Sequence, residues 1–205
     1  FHSAIQLGDG RVLVAGGQDG TNFLASSEIM SADPVAPETT ATRSIPPNAN
    51  GWNNTDVTVT LQATDNAGGS GVQSLAYSLT GAQAGGGTVA SGTASVVVSA
   101  QGTTTIAYHA VDLAGNVEAD HTLLVRIDRT PPILASQPNV TVPATAGGTV
   151  ITFNASATDA TSGVVSVTSS PFSSGTRFPA GATIVQIVAV DAAGNTAATS
   201  FTVTV

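Results

Sequence analysis

The sequence contains no cysteine and no lysine. Without cysteine, neither disulfides nor a thiolate metal site can form. Without lysine, no amine is available for a Lys–Asn isopeptide cross-link, so the parts of the chain must be held together by non-covalent packing. All five basic side chains are arginines, and the net charge is −8. Because no basic cluster is present to neutralise phosphates, binding to nucleic acid or to an anionic membrane is disfavoured.

Aromatic and charged residues are also scarce, at 4% and 9% of the chain. The few aromatics beyond phenylalanine (Trp52, Tyr77 and Tyr108) argue against a flat aromatic face that binds carbohydrate. No apolar run approaches the ~20 residues that a membrane-spanning helix needs. Small and β-branched residues dominate, which is typical of short strands and many turns. The chain starts at Phe1 within a motif, so we expect a mature or excised piece of a longer extracellular protein.

One short motif occurs twice, as AVDLAGN at residues 110–116 and as AVDAAGN at residues 189–195. In each copy an apolar run is followed by Asp, two small or apolar residues, Gly and Asn, and then a second alternating run. This pattern predicts a β-hairpin in which Gly adopts positive φ and the polar side chains bond the loop's own backbone. The predicted structural turn residues are Gly115, Asn116, Gly194 and Asn195.

A second pair of motifs supports an internal repeat. Ala-Thr-Asp at residues 63–65 is followed by Ser-Gly-Val at 70–72, and the same two triplets recur at 157–159 and 162–164. The sequence therefore predicts two β domains of one kind in tandem, of roughly 90 residues each. We expect an all-β fold of two tandem immunoglobulin-like β-sandwiches preceded by a β-strand arm.

Residues 1–34 contain the run GRVLVAGG at 10–17 and end in Asp33-Pro34. This stretch resembles a kelch repeat, which implies one blade of a β-propeller. The family's following Trp is missing and the repeat stands alone, whereas a propeller needs about four blades to close. Either preceding blades belong to a larger parent protein, or these strands pair with another partner. A linker rich in proline and threonine is predicted at residues 35–47.

Residues 48–130 are predicted to form the first sandwich, with a glycine-rich loop at 84–92. The run GTTTIAYHAVDLAGNVE at 102–118, followed by IDRTPP at 127–132, resembles a bacterial immunoglobulin-like repeat, which implies about seven strands. Residues 131–205 resemble a hyalin repeat (HYR) module through VITF at 150–153, GTRFPAG at 175–181 and SFTVTV at 200–205. That resemblance implies an immunoglobulin-like domain associated with extracellular adhesion and spacing, and it brings no catalytic residues.

Few residues are candidates for chemistry. The histidines His2, His109 and His121 lie in or beside predicted strands, and no Gly-x-Ser-x-Gly motif is present, so we expect no enzymatic activity. Carboxylates near strand ends could instead bind a hard cation such as calcium, which prefers oxygen ligands. The alternative is that these groups merely cap turns, in which case no cofactor is bound. The candidate ligands are Asp65, Asp112, Asp159 and Asp191.

The strands of the arm could serve in assembly. If they lack partners, their backbone groups must be satisfied elsewhere, and addition to the sheet edge of a neighbouring subunit would satisfy them. Repeated head to tail, such a contact builds a filament. The residues predicted to act in strand donation are Ile5, Leu7, Val12 and Val14. We therefore expect a non-catalytic extracellular spacer or assembly module whose partners are other protein subunits. The alternative is the accessory C-terminal region of a larger secreted enzyme or kelch-propeller protein.

Overall fold

A computed structural model describes residues 3–7, 12–18, 20–23, 25–30 and 33–205. In this part of the chain the regular secondary structure consists of β-strands. No helix of the described chain is long and apolar enough to cross a membrane. The strands are β1 (Ser3–Gln6), β2 (Val12–Ala15), β3 (Ser27–Met30), β4 (Glu38–Arg43), β5 (Val57–Thr64), β6 (Val72–Gly81), β7 (Gly85–Val89), β8 (Thr93–Val98), β9 (Gly102–Asp112), β10 (His121–Ile127), β11 (Ile133–Leu134), β12 (Val140–Thr141), β13 (Thr149–Ile151), β14 (Ala157–Thr158), β15 (Val164–Ser170), β16 (Thr176–Phe178), β17 (Ala182–Asp191) and β18 (Thr196–Thr204).

The arm, formed by β1 to β3, is a three-stranded antiparallel sheet in the order β1-β2-β3. Ile5 pairs with Leu13, and Leu13 pairs with Ile29. Ile5 and Ile29 are nevertheless 61% and 51% exposed, so these two apolar side chains remain largely open to solvent.

The four predicted strand-donation residues occupy different positions in the arm. Ile5 lies on β1, and Leu7 follows that strand directly. Val12 and Val14 lie on β2, whose neighbours β1 and β3 pair with it on both sides. The premise of unpaired strands is therefore wrong for β2, and only β1 and β3 have a free edge in the described arm.

The first sandwich packs the sheet β4-β5-β8 against the sheet β10-β9-β6-β7. Strand β5 alternates strictly between buried and more exposed residues, as its Val-Thr-Val-Thr pattern predicts. Its core is centred on the fully buried side chains of Leu61, Leu75 and Ile106. None of the arm's described residues belongs to this core.

Two predicted boundaries in this region are wrong. Residues 38–43, expected within the linker, form β4, because a threonine-rich segment is well suited to a sheet edge and buries Thr39. Residues 85–89, expected in a loop, form β7, which lies beside β6. A Cβ at Gly86 would stand 2.7 Å from the Tyr77 carbonyl oxygen, so glycine permits this close approach.

The second sandwich packs the sheet β12-β18-β17-β15 over two short ribbons, β11-β14 and β13-β16. Its core contains the buried side chains of Phe178, Ile187 and Phe201. Strand β12 runs parallel to β18, whereas the other pairings in this sandwich are antiparallel. The chain is thus all-β, with two immunoglobulin-like sandwiches in series.

Candidate metal centres at the two domain ends

Three carboxylates meet at the end of the first sandwich that adjoins the arm. Asp65 directly follows β5, Asp112 ends β9, and Asp33 stands between the arm and β4. Their ligand oxygens all lie within 4.8 Å of one another, and Asp112 is fully buried. We call Asp33, Asp65 and Asp112 the first carboxylate set.

The predicted turn positions this set. Gly115 has a φ of 90°, so the chain can reverse after Asp112. The Asn116 side-chain Nδ2 then donates to Asp112 Oδ2 and to the Asp33 carbonyl, both at 2.7 Å. Asp33 is held a second time, because the Ser70 amide donates to its Oδ2 at 2.7 Å. One asparagine therefore ties the segment before the sandwich to the turn at the sandwich's end.

The same arrangement recurs at the second sandwich. Asp128, Asp159 and Asp191 form the second carboxylate set, again with ligand oxygens within 4.8 Å, and Asp128 and Asp191 are buried. Asn195 Nδ2 donates to the Asp128 carbonyl at 2.9 Å and to Asp191 Oδ2 at 2.8 Å. The Ser162 amide donates to Asp128 Oδ2 at 3.0 Å. Because Asp128 directly follows β10, these bonds join the last strand of the first sandwich to the second sandwich.

A direct contact between the sandwiches reinforces this second junction. The side-chain amides of Asn48 and Asn50 in the first sandwich donate to the Ala192 carbonyl, at 2.9 and 3.2 Å. The Pro131-Pro132 pair follows this junction directly. The two sandwiches are thus held together at two places, at Asp128 and at Ala192.

Hydrogen bonds from the backbone also set the acidity of the carboxylates. The Ser70 amide is the main reason why the pKa of Asp33 lies below its ordinary value. For Asp159, burial acts to raise the pKa, but the amides of Gly163, Ser162 and Thr161 outweigh it and lower the pKa overall. Both groups are therefore stabilised in the charged form.

The four predicted ligands fall into the two sets, two in each. Asp65 and Asp112 belong to the first, Asp159 and Asp191 to the second. Sequence reasoning did not identify Asp33 as a ligand, although its place before a proline-rich stretch matches that of Asp128. Both residues join their sets through the tertiary structure, since the chain entering each sandwich passes over the turns at its end.

The backbone of Gly69 approaches the oxygens of the first set closely. A Cβ at Gly69 would stand 2.7 Å from Asp65 Oδ2 and 2.9 Å from Asp33 Oδ2, and no such atom is present. Calcium binds six to eight oxygens at 2.3–2.6 Å, including carboxylates of loops. Among the described residues, no arginine or histidine forms an ion pair with either set. The donor set therefore fits a hard divalent cation, while the backbone hydrogen bonds fit the turn-capping alternative equally well.

A further carboxylate acts within the first sandwich. Glu118 is buried and accepts hydrogen bonds from the Thr39 amide at 2.5 Å, the Thr39 hydroxyl at 2.6 Å and the Ala110 amide at 2.9 Å. It thereby joins β4 to β9 of the opposite sheet. Burial, and secondarily the charge of Glu118, raise the pKa of Tyr108.

The histidines have local partners. His109 Nδ1 lies 2.8 Å from Asp120 Oδ1, and His121 Nε2 lies 3.1 Å from Glu118 Oε1. His121 also stacks on Tyr108, with ring centroids 5.6 Å apart. His2 lies outside the described residues. These contacts account for both described histidines as strand residues with structural partners.

Comparison with known protein families supports the assignment of the second sandwich. Residues 127–205 match the family model of the HYR domain, so the match includes Asp128. The predicted HYR domain is confirmed there. No curated protein matches the sequence. Among solved structures, the chain is similar to the fibronectin(III)-like modules of CbhA from Clostridium thermocellum, with 16% identity, 81% of this chain and 94% of that chain covered, and a TM-score of 0.36.

Proposed function

We propose that this chain is a non-catalytic extracellular spacer module, which holds two sandwiches and the segment before them in a fixed series. The observation that carries this proposal is the repeated junction. Asn116 ties the Asp33 carbonyl to the first sandwich, and Asn195 ties the Asp128 carbonyl to the second. A flexible tether would need neither bond, whereas a spacer of defined length needs both. The extracellular location rests on the HYR match, because modules of this type are associated with adhesion and spacing outside the cell.

Small-angle X-ray scattering of the full chain tests the spacer. We expect a narrow distribution of molecular lengths for the native chain and a broader one for Asn195→Ala, which removes the bond to Asp128. Asn139→Ala is the matched control, because Asn139 bonds Thr202 within the second sandwich and not at the junction. Equal scattering from the native chain and Asn195→Ala would contradict the role of the Asn195 bond in fixing the junction.

We also propose that calcium stiffens both junctions. Each carboxylate set offers three carboxylates, partly buried and without a cationic partner among the described residues. Their mutual repulsion falls when a divalent cation lies between them. Titration calorimetry with CaCl2 should give two ions per chain, and Asp191→Asn should leave one. Asp120→Asn, a change at a 79% exposed carboxylate outside both sets, should still give two. No binding to the native chain would leave turn capping as the role of these residues.

The finer proposal is that the arm joins neighbouring copies into a filament by strand donation. It is supported by the free edges of β1 and β3 and by the exposed side chains of Ile5 and Ile29. Negative-stain electron microscopy of the full chain should show filaments that disappear when residues 1–32 are removed. The shortened chain keeps Asp33, and neither core contains a described residue of the arm, so both sandwiches should fold.

The alternative for the arm is a role as the last strands of a larger β-propeller or secreted enzyme. Its resemblance to a kelch repeat supports this reading. Monomers of both the full and the shortened chain would exclude the filament and favour the alternative. The length of the parent gene product would then show whether a catalytic domain precedes the arm.

A further inference from the structure

The two sandwiches differ at one edge. Strands β6 and β15 occupy equivalent places, since Val72 pairs with Asp112 of the first turn and Val164 with Asp191 of the second. In the first sandwich, β7 covers the outer edge of β6 by pairing with Leu75 to Leu79. In the second, the sheet ends at β15, and no strand of the described chain lies beside it. The second sandwich therefore has an open position where the first has a strand.

The open edge of β15 lacks the features that usually protect sheet edges. Its sequence, VVSVTSS, contains no charge and no proline, and Val165 is 60% exposed. A bulge between Val164 and Ser166 distorts one end, which leaves residues 166–170 in regular register with β17. Uncharged, regular edges of this kind accept a further strand by main-chain hydrogen bonding.

Side chains shield two edges of the first sandwich, those of β10 and β8. The Arg43 guanidinium donates to the Leu124 carbonyl of edge strand β10 at 2.5 Å. The Gln83 side chain donates to the Val97 carbonyl of edge strand β8 at 2.8 Å and accepts from the Ser99 amide at 2.8 Å. Among the hydrogen bonds of the described residues, no side chain of another element caps β15 in this way. The contrast identifies β15 as the more receptive edge.

Strand β1 is the segment of the chain that best fits this position. It has four residues, Ser-Ala-Ile-Gln, which fit within the five regular edge residues 166–170. It is uncharged and lies at a free edge of the arm, whereas the other edge strand, β3, carries Glu28. Neither β1 nor β15 adds to the charge repulsion expected between copies of a chain with net charge −8.

We propose that the free edge of β15 accepts β1 of a second copy of this chain, in the position that β7 occupies in the first sandwich. The inference rests on the proposed role of the arm in assembly and names its acceptor. Because β1 precedes the first sandwich and β15 belongs to the second, the contact joins different surfaces of the two copies. A heterologous contact of this kind repeats along a filament.

Cysteine cross-linking tests the pairing of β1 with β15. No native disulfide can interfere, because the native chain has no cysteine. One variant carries Ala4→Cys on β1 and another carries Thr168→Cys on β15. Mixed under oxidising conditions, they should form a mixed-disulfide dimer, since paired strands bring Cα atoms to about 4.5–5.5 Å. Ala4→Cys mixed with Thr88→Cys is the matched control, because Thr88 lies on β7, the edge strand of the first sandwich. Equal yields from the two mixtures, or none from the first, would overturn β15 as the acceptor.

Proline substitution tests whether the edge is needed. Successive residues of a strand direct their amide groups to opposite sides. One of the two substitutions Thr168→Pro and Ser169→Pro therefore removes a hydrogen bond to β17, and the other removes a free amide of the edge. The variant that keeps the native melting temperature identifies the free amide. In sedimentation velocity and electron microscopy, that variant should lose filaments and return to the monomer.

The outcomes separate this inference from the proposed function. If removing residues 1–32 abolishes filaments and the edge proline does not, the arm assembles elsewhere and β15 is not its acceptor. If filaments persist without residues 1–32, strand donation by the arm is itself wrong. If the edge proline and the removal of the arm both abolish filaments, the pairing of β1 with β15 stands.

Discussion

The buried carboxylate of Glu118 gives the sharpest prediction about stability. Glu118→Ala removes the acceptor for two backbone amides, those of Thr39 and Ala110, inside the first sandwich. Thr39 is 6% exposed and Ala110 is fully buried, so water cannot readily replace the lost oxygen atoms. We expect β4 to be destabilised most, because the contact of Thr39 with Glu118 joins this strand to the opposite sheet.

The expected magnitude follows from these bonds. A buried amide left without a partner costs about 1–3 kcal/mol, so two such amides lower the free energy of unfolding by about 3 kcal/mol. With a urea dependence of about 1.5 kcal/mol per M, the unfolding midpoint falls by about 2 M. Glu118→Gln keeps one carbonyl oxygen as an acceptor, so its loss should be about half as large.

Urea unfolding monitored by tryptophan fluorescence measures the unfolding midpoint of the first sandwich. Trp52 is the single tryptophan of the chain and lies in the first sandwich, so its signal is specific for that domain. Asp120→Ala is the matched control, because its 79% exposed carboxylate pairs with His109 at the surface and should change the unfolding free energy by less than about 1 kcal/mol. An unchanged midpoint for Glu118→Ala would refute the reasoning that its hydrogen bonds hold β4 in place.

Two further predictions concern the second sandwich. Asp159→Asn should lower the melting temperature at pH 7, and its difference from the native chain should shrink as the pH falls below about 4. The pKa of Asp159 is lowered in the folded state, so its carboxylate stabilises the fold above the pKa of the unfolded chain, and this stabilisation is lost as the pH falls through the folded pKa. A melting-temperature difference that stays constant from pH 7 to pH 2 would contradict this. Gly148→Ala should destabilise more than Gly147→Ala in thermal unfolding, although both positions have positive φ. A Cβ at Gly148 would stand 2.6 Å from the Phe178 carbonyl oxygen, whereas nothing lies within 4 Å at Gly147, so equal losses would show that the contact is relieved without cost.

Local sequence patterns predicted several features that the structure bears out. The alternation in β5 and the Asp-x-x-Gly-Asn turns depend on neighbouring residues alone, and Gly115 and Gly194 both show the expected positive φ of 90°. The HYR resemblance likewise rests on contiguous motifs, and the family match confirms it. Prediction failed for β4 and β7, because flanking prolines and consecutive glycines are typical of loops, whereas pairing with the neighbouring strand makes these segments strands.

The candidate sites show the same limit. Asp112 and Asp191 are recognisable because each lies within a repeated motif, but the third member of each set, Asp33 or Asp128, comes from the segment that enters the sandwich. That segment reaches the turn only when the whole sandwich has formed, so its role depends on contacts between residues distant along the chain, such as Asn195 with Asp128.

The sequence by itself determined that the chain is all-β, that it contains a repeat, and which turns end its longest hairpins, since period-two alternation and turn chemistry act over a few residues. Only the tertiary structure decided which carboxylates meet, that an asparagine side chain holds the segment entering each sandwich, and that β15 lacks the neighbouring strand that β6 has. These features depend on strand order, and strand order is fixed by which distant segments bury each other's apolar faces.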